Sequence, residues 1–266
     1  MKAIHQCIGI FFWIIFFCSC NGKKENKSAV EVSTREQQLM NDRNAFPDSL
    51  LLTENLIQYY RENGNYFAAL KTVNEEIEQD STNPRLWDMK ATLHFENADT
   101  VASISAFEKA VAIYPDPGYI ISLATLYAQT KNEKALALAD ALLIANKSKA
   151  DKEALFIKGL YFNYSGDKKK AIDFFDKCLA LNYTFMDAYR EKAIALYDLG
   201  KYSEALAVLD KAVTLQNNFD EGHYYRGRCL EKLGRQKEAI EAYQAALMYD
   251  PEYAEAKDAL ARLGYK

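Results

Sequence analysis

Residues 186–219 read MDAYREKAIALYDLGKYSEALAVLDKAVTLQNNF, and residues 220–253 read DEGHYYRGRCLEKLGRQKEAIEAYQAALMYDPEY. The two stretches have the same length and align without a gap, and residues 152–185 extend the alignment. Residues of one kind then recur every 34 positions: Gly166, Gly200 and Gly234; Ala171, Ala205 and Ala239; and the large apolar Phe175, Leu209 and Tyr243. A fixed period of this length indicates stacked units rather than one large core.

The composition favours helices in these units. Hydrophobic residues make up 49% of the 266 residues and charged residues 26%, which is ordinary for a folded chain. The chain has only 11 Gly and 5 Pro, and alanine, leucine, lysine and glutamate are plentiful. This mixture suits helices and suits strands poorly. We therefore predict an all-α fold with two amphipathic helices per block.

The pattern within each block resembles the tetratricopeptide repeat (TPR). That family has a large residue at position 4, small residues at positions 8 and 27, aromatics at 11 and 24, Ala at 20 and Pro near 32. The resemblance implies a right-handed α-solenoid of stacked helix-turn-helix repeats with a C-terminal capping helix. The frame reaches back to Gly64, three periods before Gly166. We predict six repeats over residues 48–253, beginning at Leu50, Pro84, Pro117, Lys152, Met186 and Asp220, and a capping helix over residues 254–266.

Two of the repeats depart from the pattern. The first has Ile57 where a small residue is expected, which is common in a terminal repeat. The third matches at Ala124, Tyr127 and Ala135 only if one loop residue is lost.

The N-terminal stretch MKAIHQCIGIFFWIIFFCSC has an apolar run too short for a membrane span and of the length found in secretory signals. Its end resembles a bacterial lipoprotein signal, which implies a signal peptide over residues 1–19 and a lipid on Cys20. A plain secretory signal or an uncleaved anchor remains the alternative. Asn21, which is not Asp, implies the outer membrane by the same resemblance. Residues 20–47 are polar, and we predict a tether with a short helix around Glu31–Asp42.

The sequence shows no catalytic, cofactor or metal-binding motif. His94 and His223 fall on packing positions of the repeat, and Cys178 and Cys229 lie on different helices, almost two repeats apart. The net charge of −4, with no basic cluster beyond Lys168–Lys170, gives no footprint for nucleic acid. We expect a protein that is not an enzyme, although an unrecognised site remains an alternative.

The resemblance places positions 2, 5, 9, 12 and 13 of each first helix on the concave face of the array. Glu54 and Gln58 stand where some TPR domains have Lys and Asn to clamp a peptide carboxylate, so we do not expect that activity in the first repeat. The alternative for the aromatic residues is packing against the neighbouring helix. The predicted peptide-binding groove comprises Phe95, Phe156, Leu160, Tyr164, Arg190, Ile194, Tyr197, Tyr224 and Arg228.

Together these features predict a lipid-anchored scaffold at a bacterial cell envelope. It would bind a protein or peptide in the groove, contact the membrane through its N-terminal lipid, and bind no nucleic acid. Self-association into an envelope assembly is the second hypothesis.

Overall fold

The computed structural model of the protein describes residues 25–145 and 150–265, and every regular element in these ranges is an α-helix. The predicted all-α solenoid of stacked helix pairs is confirmed. The helices are α1 Glu25–Ala45, α2 Leu50–Glu62, α3 Tyr66–Gln79, α4 Pro84–Glu96, α5 Thr100–Ile113, α6 Pro117–Gln129, α7 Lys134–Ala145, α8 Asp151–Ser165, α9 Lys168–Leu181, α10 Met186–Asp198, α11 Tyr202–Leu215, α12 Asp220–Lys232, α13 Gln236–Tyr249 and α14 Ala254–Arg262.

The helices pair in the frame of the repeat. The first helices α2, α4, α6, α10 and α12 begin at the first residue of their repeats, and α8 begins one residue early, at Asp151. Pro84 and Pro117 start α4 and α6, where a residue without an N–H loses no hydrogen bond. The last helix, α14, buries Ala256, Ala259 and Leu260 against the sixth repeat and leaves its charged face exposed.

A left-handed residue ends the first helix of each repeat. Gly64, Gly166, Gly200 and Gly234 have φ between 67° and 96°, which glycine adopts without a steric cost. The second and third repeats place Ala98 (φ 60°) and Lys131 (φ 59°) at the equivalent positions. The turn geometry is therefore the same in all six repeats. In the second and third repeats the residue with positive φ carries a Cβ, which makes this conformation less favourable than it is for glycine.

The third repeat loses its residue at the start of α7. Elsewhere the N–H of the residue at position 20 bonds four residues back, as Ala171 does to the Asp167 carbonyl. In α7 the Ala135 N–H bonds only three residues back, to the Asn132 carbonyl at 3.0 Å. This tighter turn absorbs the deletion and keeps Ala135 fully buried.

The two helices of a repeat approach closely because a small residue of one faces a large residue of the other. A Cβ on Gly159 would lie 2.5 Å from Cε1 of Phe175, whose side chain is completely buried. Gly227 has the same relation to the ring of Tyr243, at 2.5 Å. The fifth repeat instead has Ala193 and Leu209, both buried at the equivalent positions. In the fourth and sixth repeats the ring therefore leaves no room for a Cβ on the facing helix, whereas the second repeat pairs Phe107 with Ala91.

The segment predicted as a tether differs from the expectation over much of its length. It forms α1, a helix of 21 residues that extends beyond the predicted Glu31–Asp42. Leu39 is buried against the first repeat, and Arg43 forms ion pairs with Glu75 at 3.0 Å and Glu76 at 2.8 Å on α3. These contacts make the C-terminal part of α1 the N-terminal cap of the solenoid rather than a free linker.

Candidate functional site

Arginine–carboxylate pairs join the first helices of successive repeats along the groove. Arg190 of α10 bonds Glu221 of α12 at 2.5 Å, and Arg262 of α14 bonds Glu231 of α12 at 2.7 Å. The N-terminal half has two such pairs, Arg61 with Glu96 and Arg85 with Glu54. Glu54, which excluded a carboxylate clamp in the first repeat, therefore serves as the partner of a groove arginine. The arginines of these four pairs are therefore neutralised by carboxylates of the protein itself.

Arg228 is the exception among these groove arginines, since it makes no ion pair with any residue in the described part of the chain. Its guanidinium carbon lies 4.7 Å from the ring centroid of Tyr197, 5.4 Å from that of Tyr225 and 6.0 Å from that of Tyr224. Rings at these distances stabilise a cation without neutralising its charge. The side chain is half-buried, so the rings fix its position and leave its N–H donors without a carboxylate.

Arg228 faces a cleft of about 550 Å³ between α12 and α14, a volume in the range of ligand pockets. The ring of Tyr224 borders it and packs on Tyr253, with centroids 5.0 Å apart, and on Tyr243 at 5.7 Å. These tyrosines form a rigid aromatic wall, because each is held by its neighbours. The full lining is Tyr197, Tyr224, Arg228, Glu231, Lys232, Tyr243, Glu255, Asp258, Ala259 and Arg262.

A polar network joins the first helices of repeats four to six. Glu191 is only 8% exposed, and it accepts a hydrogen bond from the Asn163 amide at 3.2 Å and lies 3.4 Å from the guanidinium of Arg190. Burial raises the pKa of Glu191 above its ordinary value, although Arg190 and Asn163 act in the opposite direction. Asn163 in turn accepts from Lys168 at 2.7 Å. The network fixes the first helices relative to one another and so fixes the shape of the groove.

The structure divides the predicted groove residues into four groups. Tyr197, Tyr224 and Arg228 line the cleft, and Arg190 belongs to the polar network. Phe95, Tyr164 and Ile194 are half-buried and pack on the core with part of their surface exposed. Contact of these residues with a ligand stays a prediction.

Leu160 and Phe156 correspond to the alternative interpretation, in which the side chain packs on a neighbouring helix. Leu160 is only 3% exposed and is a core residue that supports the groove from behind. Phe156 is half-buried, with its ring 5.0 Å from Phe185 and 5.8 Å from Phe175. Of the nine predicted groove residues, only Leu160 is buried, and contact of Phe156 with a ligand stays a prediction.

Sequence reasoning missed the part of the cleft that the capping helix contributes. Glu255, Asp258 and Arg262 line it, although the cap was expected only to cover the last repeat. They occupy positions 2, 5 and 9 of the same 34-residue frame, so continuing the frame beyond Tyr253 would have found them. Cys20, the predicted lipid attachment site, lies outside the described residues.

The large residue at position 4 has a second role that its packing position did not indicate. The Trp87 indole N–H donates to the Ser81 carbonyl at 2.9 Å, and the Tyr189 hydroxyl donates to the Tyr183 carbonyl at 3.1 Å. His223 makes the same contact with Asn217, at 2.8 Å. Each ring thus holds the loop between its own repeat and the one before.

The remaining candidates for chemistry are structural. Cys178 and Cys229 are free and buried, and burial raises the pKa of each thiol to about 12, so neither is a thiolate at neutral pH. In the described ranges no group of His, Cys, Asp or Glu side chains could hold a metal ion. No helix there combines the length and the apolar character needed to cross a bilayer.

The comparisons with known proteins agree with this architecture. The family model described as a tetratricopeptide repeat matches residues 125–182 and 190–256. An uncharacterized protein of Methanocaldococcus jannaschii is 42% identical over 53 residues, which are 20% of this chain and 62% of that protein. The chain thus spans less than two thirds of that relative.

Solved structures share the fold at lower identity. A tetratricopeptide repeat protein from Parabacteroides merdae superposes with a TM-score of 0.73 at 17% identity, over 89% of this chain and 94% of the other. PilW, a type IV pilus biogenesis factor, superposes with a TM-score of 0.62 at 17% identity, over 79% and 97%. Proteins built in this way are generally scaffolds for protein–protein interaction rather than enzymes. Residues 125–182 and 190–256 thus match the tetratricopeptide repeat model, and the helical array as a whole has the fold of a TPR solenoid.

Proposed function

We propose that this protein is a lipid-anchored scaffold of a bacterial cell envelope that binds a segment of a partner protein in its groove. The observation that carries the binding site is Arg228, the groove arginine that meets tyrosine rings instead of a carboxylate. An acidic group of the partner can accept hydrogen bonds from this guanidinium at a smaller desolvation cost than an exposed arginine would impose, because part of that cost is already met in the fold.

The surroundings of Arg228 specify the rest of the ligand. The tyrosine wall of the cleft offers apolar surface for a side chain next to the acidic group, and aromatic residues with Arg are the usual anchors of interfaces. The open groove admits an extended chain. The partner segment we expect carries an acidic group beside an apolar side chain.

The experiment for the groove uses Arg228→Met, which keeps the apolar stem of the side chain and removes the charge. Arg226→Met is the matched control, because Arg226 lies on the same helix but pairs with Asp210 of α11 at 2.6 Å. The tagged full-length variants are expressed in their native cells, crosslinked, purified and compared by mass spectrometry. We expect Arg228→Met and Tyr197→Ala to lose partners that Arg226→Met retains. Retention of every partner by Arg228→Met would exclude this groove as the site.

The anchor is supported by the signal-like N-terminus and by Cys20 directly after Ser19. Two or more acyl chains would hold the protein stably on a bilayer, where one chain binds only marginally. We place the anchor in the outer membrane because Asn21 follows the cysteine. Labelling with a fatty-acid probe tests this: the label should be incorporated into the protein and be absent in Cys20→Ala. A protein without label, or a Cys20→Ala variant with undiminished label, contradicts the anchor.

A further inference from the structure

The cleft between α12 and α14 has one basic wall and one acidic wall. Arg228 and Lys232 lie four residues apart on α12 and share one face of that helix. Glu255 and Asp258 lie three residues apart on α14 and likewise share a face. All four side chains line the cleft, and none of them forms an ion pair with another residue in the described ranges. The two walls therefore present opposite charges that the protein leaves unmatched.

The stacking of the first helices explains why Arg228 has no carboxylate. At this end of the array, contacts between successive first helices join residues that are 31 positions apart in the chain. These contacts are Arg190 with Glu221, Tyr197 with Arg228, and Glu231 with Arg262. The same spacing places Ala259, a buried residue of the cleft lining, opposite Arg228. Because an alanine side chain is short and accepts no hydrogen bond, this register leaves Arg228 without a carboxylate and leaves space beside it.

The cations of α14 do not neutralise Asp258 either. Arg262 lies one turn after it, but both terminal nitrogens of that guanidinium donate to Glu231, at 2.7 and 2.8 Å. Lys257 pairs with Glu252 at 3.0 Å. Asp258 lies in the second turn of α14, beyond the first turn in which a carboxylate offsets the helix dipole. Its negative charge is therefore explained neither by an ion pair within the described residues nor by the stability of its helix.

Unpaired charges on a protein surface are solvated by water, but a ligand that enters the cleft displaces that water. A charge that loses water without gaining a partner costs free energy. A purely acidic ligand would satisfy Arg228 and leave Asp258 desolvated and repelled. A purely basic ligand would do the same to Arg228. Only a ligand that carries both charges matches both walls, so the acidic wall discriminates among acidic ligands.

We propose that the cleft selects a dipolar segment of the partner protein, in which an acidic group meets Arg228 and Lys232 and a Lys or Arg side chain meets Glu255 and Asp258. This inference rests on the proposed function, in which a partner segment binds beside Arg228, and it specifies the chemistry of that segment further. The helix α14 then determines specificity in addition to covering the last repeat.

The first test selects peptides with the full-length protein from a phage library of random decapeptides. We expect an acidic residue and a Lys or Arg to be enriched together in the same peptides and at a constant spacing, because the two walls are held at a fixed separation. Arg228→Met should abolish the enrichment of the acidic residue. Asp258→Lys should replace the enriched Lys or Arg by Asp or Glu, because the sign of that wall is reversed.

The second test measures the contact between one charge of the peptide and one of the cleft. A selected peptide is synthesised with a fluorescent label, together with a form in which its Lys or Arg is replaced by Gln, and binding is followed by fluorescence anisotropy. Asp258→Asn should weaken binding of the parent peptide about fivefold, as expected of one partly exposed ion pair, and leave binding of the Gln form unchanged. Glu252→Gln is the matched control, because it removes one carboxylate just before α14 that does not line the cleft.

The possible failures are distinguishable. Acidic enrichment that depends on Arg228, without any basic enrichment that Asp258→Lys changes, would overturn this inference and leave the proposed groove intact. A library that yields no bound peptide, or peptides whose binding neither variant alters, would overturn both. Equal weakening by Asp258→Asn and Glu252→Gln would assign the effect to net charge and so exclude the acidic wall. Asp258 and Glu252 are exposed, so circular dichroism should show an unchanged fold in each variant.

Discussion

The close approach of the two helices in the fourth repeat predicts that Gly159→Ala destabilises the protein, although alanine is the better helix former. The new Cβ would lie 2.5, 2.6 and 3.0 Å from Cε1, Cδ1 and Cζ of Phe175. Comfortable carbon contacts begin at about 3.5 Å, so the ring would have to move by about 1 Å. The ring is fully buried and its centroid lies 5.8 Å from that of Phe156, which limits that movement.

The magnitude follows from two opposing terms. Overpacking a core in this way costs about 1–3 kcal/mol, and replacing a helical glycine by alanine returns about 1 kcal/mol. We therefore expect a net loss of about 1 kcal/mol in the free energy of unfolding. Gly227→Ala, which meets Tyr243 at the same 2.5 Å, should behave alike.

Phe175→Leu is the variant that isolates the contact. By itself it leaves a void and should cost about 1–2 kcal/mol. Combined with Gly159→Ala it recreates the pair that the fifth repeat already contains, Ala193 facing Leu209. The clash then disappears while the helix gain remains, so Gly159→Ala should become stabilising in the Phe175→Leu background. The double-mutant cycle should give a coupling energy of about 1–3 kcal/mol.

The assay is urea unfolding followed by far-ultraviolet circular dichroism, with native-state hydrogen exchange of α8 and α9. Hydrogen exchange is needed because repeat arrays can open locally, so the loss should appear first in the amides of the fourth repeat. A Gly159→Ala protein as stable as the wild type would refute the packing argument. So would a loss that stays the same after Phe175→Leu.

Three further predictions concern the turns and one ion pair, each measured by urea unfolding. Ala98→Gly should raise the free energy of unfolding by up to about 1 kcal/mol, because it removes an alanine from the left-handed conformation. Gly200→Ala should lower it by about 1 kcal/mol, because it places an alanine in that conformation. Changes of the same sign in the two variants would contradict this argument. Lys201→Asp should add about 0.5–1 kcal/mol, since the Lys201 N-cap makes no side-chain hydrogen bond; no gain would exclude a missing cap there. Arg262 lowers the pKa of Glu231, so the stability that this carboxylate contributes is present above its unfolded pKa of about 4.3 and lost as pH falls through the folded value. Glu231→Gln should therefore lower the free energy of unfolding by at most about 1 kcal/mol at pH 7 and by progressively less below about pH 4. A difference between variant and wild type that does not change with pH would contradict this assignment.

The sequence by itself determined the repeat and its helices. The spacing of Gly64, Gly166, Gly200 and Gly234 placed a turn in each of their repeats, because only a residue that tolerates positive φ ends a helix in this way. The 34-residue frame then predicted where five of the six first helices begin. These features depend on local conformation and on which residues share a helix face, both of which are encoded at short range.

The tertiary structure decided which of the predicted side chains are available. Leu160 and Arg228 both occupy position 9 of a first helix, yet one is buried in the core and the other lies among tyrosine rings at the cleft. An arginine of the groove forms an ion pair only if a carboxylate of the neighbouring repeat lies beside it once the repeats are stacked. The helix α1 docks through the buried Leu39 and through the ion pairs of Arg43 with Glu75 and Glu76, more than 30 residues away in the chain. Periodicity within one helix cannot specify such contacts, because they are set by the rotation and translation between repeats.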